Sequence, residues 1–200
     1  MKKAEKTNIT IHRILDAGIE EFGKGSFESV SINTILEKHG ISKGLFYHNF
    51  KSKDDLYVAV VKLTFDEMID INKQEMIENG TNENSTRSIL QRRHNYFKDN
   101  PLKANIFFNA VFKTPKHLVE RIKEAGNDFK ETSKKFIMSL PIKDSIDPAL
   151  AADCVLFIQE IFNLYYINQT RDIDDFRKIV TEHEAILESL IDILFHGLLK

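Results

Sequence analysis

A single cysteine, Cys154, stands among 200 residues. That excludes an intrachain disulfide framework and any multi-cysteine metal site, and it fits a reducing compartment. Long apolar runs are missing too. The opening MKKAEKTNIT has charge but no apolar segment, and Glu160, Asp192 and His196 break the most apolar late stretches within the about 20 residues a membrane span needs. A cytoplasmic protein with no membrane partner is expected. The four prolines, Pro101, Pro115, Pro141 and Pro148, suit helix boundaries better than helix interiors. No convincing β-type alternation, internal repeat or low-complexity segment is present.

Catalytic and metal motifs are equally scarce. GKGSFE (23–28) begins like a dinucleotide fingerprint, yet it lacks the third glycine and follows a helical pattern where a strand is required. No two of the seven histidines lie at i, i+4, and the His183–Glu184 pair lacks the second histidine of a zincin. No G-x-S-x-G elbow occurs, and Cys154, inside an apolar helical pattern, reads as a small packed hydrophobe. Neither a metal nor a cofactor is expected, and the rival reading of an all-helical enzyme finds no visible constellation.

What is present is helical. Ile11, Ile14, Leu15, Gly18, Ile19 and Phe22 trace an amphipathic helix that the glycines of GKGSF end. Ser31 then precedes a short helix closed by Gly40, and Ser42 precedes another running through Phe46 and Tyr47. A longer helix starts near Ser52 or Lys53 and runs to the loop NGTNENST (79–86). Beyond Ser85 the prolines mark out about five more helices. The last carries the 3-4 stripe Phe176, Ile179, Val180, His183, Leu187, Leu190, Ile191, Leu194 and Leu198. Charge is uneven: residues 1–53 hold nine Lys/Arg against six Asp/Glu, and the rest holds 19 against 24. A basic head on an acidic body is compatible with a local phosphate-binding face.

Two short helices joined by a glycine turn form a helix-turn-helix. Ile35, Leu36, Ile41 and Phe46 can face inward to lock the crossing, while Lys43, Gly44, Leu45, Tyr47 and His48 are presented by the second helix, Gly44 permitting close approach. Over Ile11 to Leu56 the motifs ILDAGIEEF, SINTI, HGISKGLFYHNF and KSKDDL stand in the order and spacing of the TetR-type transcriptional regulators, which the chain resembles. It departs from the family's usual pattern at Glu21, Ser26, Leu36 and His39. The resemblance implies that Asn33, Thr34, Lys43, Leu45, Tyr47 and His48 touch bases and backbone, and that Ser31, Ser42 and Lys53 touch phosphates. It implies an all-α fold with a DNA-binding domain over 1–52 and a helical ligand-binding and dimerisation domain over 53–200. The expected activity is ligand-responsive repression of transcription.

The second half is rich in aromatics. Phe65, Met68, Tyr96, Phe107, Phe108, Phe112, Phe129 and Phe162 are candidates to line a pocket for an apolar or amphipathic effector. Val155, Phe162, His183, Leu187, Leu190, Ile191 and Leu194 lie on two helices with more apolar surface than one fold would hide, so they are assigned to a two-fold homodimer interface. Such a dimer would bind double-stranded DNA at an inverted-repeat operator. A DNA-binding protein governed by a protein partner is the alternative.

Overall fold

The computed structural model describes residues 3–82, 84–167 and 173–198, with the side chains of all of these except 3–7, 166, 167, 173–181, 184 and 198. It is all-α; no strand occurs among the described residues. The order is α1 (Lys3–Lys24), α2 (Ile32–Lys38), α3 (Lys43–Asn49), α4 (Lys53–Asn79), α5 (Ser85–Asp99), α6 (Pro101–Phe112), a 3-10 turn (Lys116–Leu118), α7 (Val119–Ala125), α8 (Asn127–Met138), α9 (Pro148–Ile167) and α10 (Ile173–Leu198). Pro101 and Pro148 are first residues of their helices, where the missing N–H costs nothing. From Ser85 on, the described residues form six α-helices rather than about five. The extra break falls at Gly126, which caps α7 without the help of a proline.

The chain divides into two compact units, one of residues 1–65 and 100–126, the other of 66–99 and 127–200. In the first, α1 lies along α6 and touches α2 and α3. Its interior holds Ile14, Phe22, Ile35, Phe46, Leu56 and Val60, each at most 1% exposed. Phe22, Phe27 and Tyr57 pack ring to ring at 5.0–6.3 Å. In the second unit α9 packs on α8 and α10, and α10 on α5, around a core that includes Leu90, Phe136, Ala152, Val155, Leu187, Ile191 and Phe195.

One expectation is corrected by this second core. Cys154 is exposed rather than packed, because α9 turns Val155 inward and its neighbour outward. Of the residues assigned to a dimer interface, Val155, His183, Leu187 and Ile191 are buried inside the chain's own unit. A side chain without surface in one chain has none to offer a second. His183 is hydrogen-bonded, its Nε2 lying 2.8 Å from Asn163 Oδ1, and its ring stands 4.9 Å from that of Phe162. Phe162, Leu190 and Leu194 are half-buried. Phe176, Ile179, Val180 and Leu198 lie outside the described side chains.

Candidate nucleic-acid interface

The site is built from the caps inward. Ser31 Oγ accepts from Thr34 N–H at 3.1 Å and starts α2, and Ser42 Oγ accepts from Leu45 N–H at 3.2 Å and starts α3. Gly40, at φ +60°, makes the turn between them, a left-handed conformation that glycine adopts without steric cost. Ile35 and Leu36 from α2, Ile41 from the turn and Phe46 from α3 are all buried. The crossing of the two helices is therefore fixed by apolar contact, as read from the sequence.

What this leaves outside is a row of polar groups. Ser31, Asn33, Thr34, Ser42, Lys43, Gly44, Tyr47 and His48 are exposed, and Leu45 is half-buried. Tyr47 stands edge-on to the buried Phe46 ring at 5.1 Å, which holds its hydroxyl end outward. A Cβ added at Gly44 would meet nothing within 4 Å. The fold does not require a glycine there.

Lys53 differs from the rest. Its Nζ donates to the carbonyls of Phe27 at 2.9 Å and Val30 at 3.1 Å, and it sits 4.0 Å above the Phe27 ring. Two of its three N–H groups thus tie the first turn of α4 to the α1–α2 connection. Asp55, in the same turn, accepts from Arg121 at 2.7 Å, and that hydrogen bond holds its carboxyl below the usual range. Arg121 therefore ties α7 to the start of α4.

Glu21 and His39, two of the departures from the family pattern, meet. His39 Nε2 lies 3.2 Å from Glu21 Oε1, and Lys38 Nζ lies 2.6 Å from the same oxygen. Burial acts to raise the Glu21 carboxyl, but the hydrogen bonds from Lys38 and His39 outweigh it and hold the group below its usual value. Glu20, Glu21 and His39 are close enough to one another to ligate a cation. The ammonium of Lys38 already stands at both carboxylates, at 3.5 and 2.6 Å, so the cluster is an ion-pair clasp between α1 and α2.

The aromatic candidates divide between the units. In the first, Phe65, Phe107, Phe108 and Phe112 form a chain of ring contacts at 5.4–5.5 Å. In the second, Met68 is buried, Tyr96 donates to Glu67, and Phe129 is half-buried. Two surface grooves, of about 900 and 380 Å³, are lined by other residues: Asn8 to Glu20 with His39, and Asp66 to Lys73 with Asp128 to Lys135. No described helix is long and apolar enough to cross a membrane.

Sequence reasoning missed Arg13, Asn105 and Asn109. Asn105 Nδ2 donates to the Gly23 carbonyl at 2.9 Å and Asn109 Nδ2 to that of Gly25 at 3.4 Å, so α6 closes the end of α1. Nothing local marks such pairings, which span more than 80 residues.

The chain covers nearly all of several solved regulators. FadR from Bacillus subtilis, solved in complex with stearoyl-CoA, is 15% identical with a TM-score of 0.69, over 93% of this chain and 98% of that one. The fatty acid degradation regulator FadR from Bacillus halodurans is 14% identical with a TM-score of 0.71, over 94% and 95%. A transcriptional regulator from Aquifex aeolicus is 20% identical with a TM-score of 0.60, over 92% and 99%. At such identities the likeness establishes the fold. No curated protein sequence matches the chain. Residues 14–60, which span the end of α1, the helix-turn-helix and the start of α4, match the model of the bacterial regulatory proteins of the tetR family.

Proposed function

We propose that this chain is a ligand-responsive repressor that binds an inverted-repeat operator as a homodimer and leaves it when a small apolar or amphipathic effector binds. The observation that carries the reading is the outward row on α2 and α3. Lys43, Tyr47 and His48 offer donors and Leu45 an apolar tip, beside a glycine whose missing Cβ answers no internal need. Phosphate contacts would come from Ser31, Ser42 and Lys53, base contacts from Lys43 and Leu45, with Asn33 and Thr34 completing the face.

The effector class is supported by the ring chain Phe65–Phe107–Phe108–Phe112 in the first unit and by Met68, Tyr96, Phe129 and Phe162 in the second. An acyl-CoA on a protein of similar fold agrees with it. Selection of duplexes from a randomised library tests the DNA half: a palindromic consensus is expected, and enrichment without sequence preference contradicts it. Melting the protein with fatty acyl-CoA, free fatty acid and cationic aromatic compounds tests the ligand half. A ligand at 100 times its dissociation constant raises stability by about 2.7 kcal/mol. The same ligand should weaken the selected duplex, because coupling between two sites is reciprocal.

A further inference from the structure

The turn that aims the second helix of the motif leans on a residue outside it. Helix α2 ends with Ile41 N–H on the Leu36 carbonyl at 2.9 Å and Gly40 N–H on that of Glu37 at 3.4 Å, with Gly40 left-handed. This is a Schellman ending, and Leu36 and Ile41 supply its buried apolar contact. The next two carbonyls, of His39 and Gly40, lie beyond the reach of the helix ladder. Arg13 on α1 takes both. Its Nη2 donates to His39 O at 2.8 Å and to Gly40 O at 3.0 Å. Each Nη of a guanidinium carries two hydrogens, so both on Nη2 are committed to the turn.

Ser42, the cap of α3, follows Gly40 by two residues. The carbonyls that Arg13 holds therefore belong to the segment that decides where α3 begins and which way it points. Lys38 and His39, gripped by Glu21 of the same α1, fix the end of α2 as well. We propose that Arg13 is a positioning residue for DNA reading. It holds the turn so that α3 presents Lys43, Leu45, Tyr47 and His48 in one register, and it is not a phosphate ligand, although an exposed arginine on a DNA-binding unit invites that reading. This rests on the chain being a DNA-binding regulator.

The two roles separate in a salt titration. A phosphate ligand contributes to every duplex, and its removal lowers the slope of log affinity against log salt by about one. A positioning residue contributes to the sequence that needs the register and leaves the slope alone. The probes are the duplex that the wild-type protein selects from a random library and a scrambled duplex of equal length. Folded fraction is followed by circular dichroism in the same buffers.

Arg13→Gln is expected to lose roughly tenfold on the selected duplex, with unchanged affinity for the scrambled one and unchanged slope on both. A slope lowered by about one with weakening on both duplexes makes Arg13 a phosphate ligand and overturns the proposal. Unchanged affinity on both also overturns it. If Arg13→Gln does not fold, Arg13→Lys is read in its place; lysine keeps the charge, but its ammonium reaches one bond less far than the Nη2 it replaces. Loss on the selected duplex alone then supports positioning, and wild-type affinity overturns it. A wild-type protein that selects no duplex sinks the DNA-binding reading itself, and Arg13 with it.

Discussion

Gly23 and Gly44 are the same residue under opposite constraints, and one substitution tells them apart. At Gly23 a Cβ would stand 2.6 Å from Leu102 Cβ and 2.8 Å from the Leu102 carbonyl oxygen, so α1 and α6 could not approach as they do. Gly23→Ala is expected to cost about 1–3 kcal/mol of stability, the usual range for overpacking a tight contact. At Gly44 there is open space, and alanine should stabilise α3 by about 0.5–1 kcal/mol. If Gly44 serves DNA approach, Gly44→Ala should nevertheless weaken the selected duplex. A urea melt and a DNA titration on the same preparation check both signs, and stability and affinity rising together would contradict the role given to Gly44. Tyr57 offers a third contrast. Its hydroxyl is buried without a hydrogen-bond partner among the described residues and desolvation raises its pKa, so Tyr57→Phe, which keeps the ring contacts, should be neutral or stabilising by up to about 1 kcal/mol.

Among the elements, the pair α2 and α3 was the most legible because its signals are local. Ser31, Gly40 and Ser42 each determine their own turn within three or four residues, and the structure uses all three as the sequence announces. The helix starts at Pro101 and Pro148 were legible for the same reason. The clasp that holds α1 to α2 was not, because Glu21 and His39 appear separately as two oddities, 18 residues apart, whereas in the structure each accounts for the other. Arg13 and Asn105 were invisible because backbone carbonyls leave no mark in a sequence. The clasp carries a pH signature. The Glu21 pKa is held below its ordinary 4.5, so its contribution is complete above about pH 4.5 and is lost as pH falls through the lower, folded value. Glu21→Gln should therefore flatten the acid limb of a stability–pH curve measured by urea unfolding between about pH 3 and 6. A wild-type acid limb retained by the variant would show that the clasp contributes nothing there.

For the molecule as a whole, the open question is which surface a second copy would cover, and burial answers it differently from periodicity. The 3-4 stripe of α10 and the apolar run of α9 are each more than one face wide. Their inner faces, with Val155, Leu187 and Ile191, close the unit's own core. The outer face of α9 repeats Leu150, Cys154, Phe157, Ile161, Leu164 and Tyr165 at steps of three, four or one, and α10 adds Ile186 and Ile193; all are exposed. Phe157 and Ile161 are 61% and 49% exposed, so a partner could bury about half of each. Fully burying such a side chain is worth about 1.5–3 kcal/mol, so the four copies in a two-fold dimer would supply roughly 3–6 kcal/mol, a factor of about 10² to 10⁴ in association. Phe157→Asp with Ile161→Asp should accordingly give a folded monomer with native helix content by circular dichroism. Its affinity for an inverted-repeat duplex should fall toward that for a single half-site. Leu187→Asp should instead unfold the second unit, because it places a charge at a position with 0% exposure. Light scattering and a thermal melt on the two variants decide between the faces. A double-aspartate protein that stays dimeric would overturn the outer-face assignment, and a well-folded monomeric Leu187→Asp would return the interface to the inner stripe.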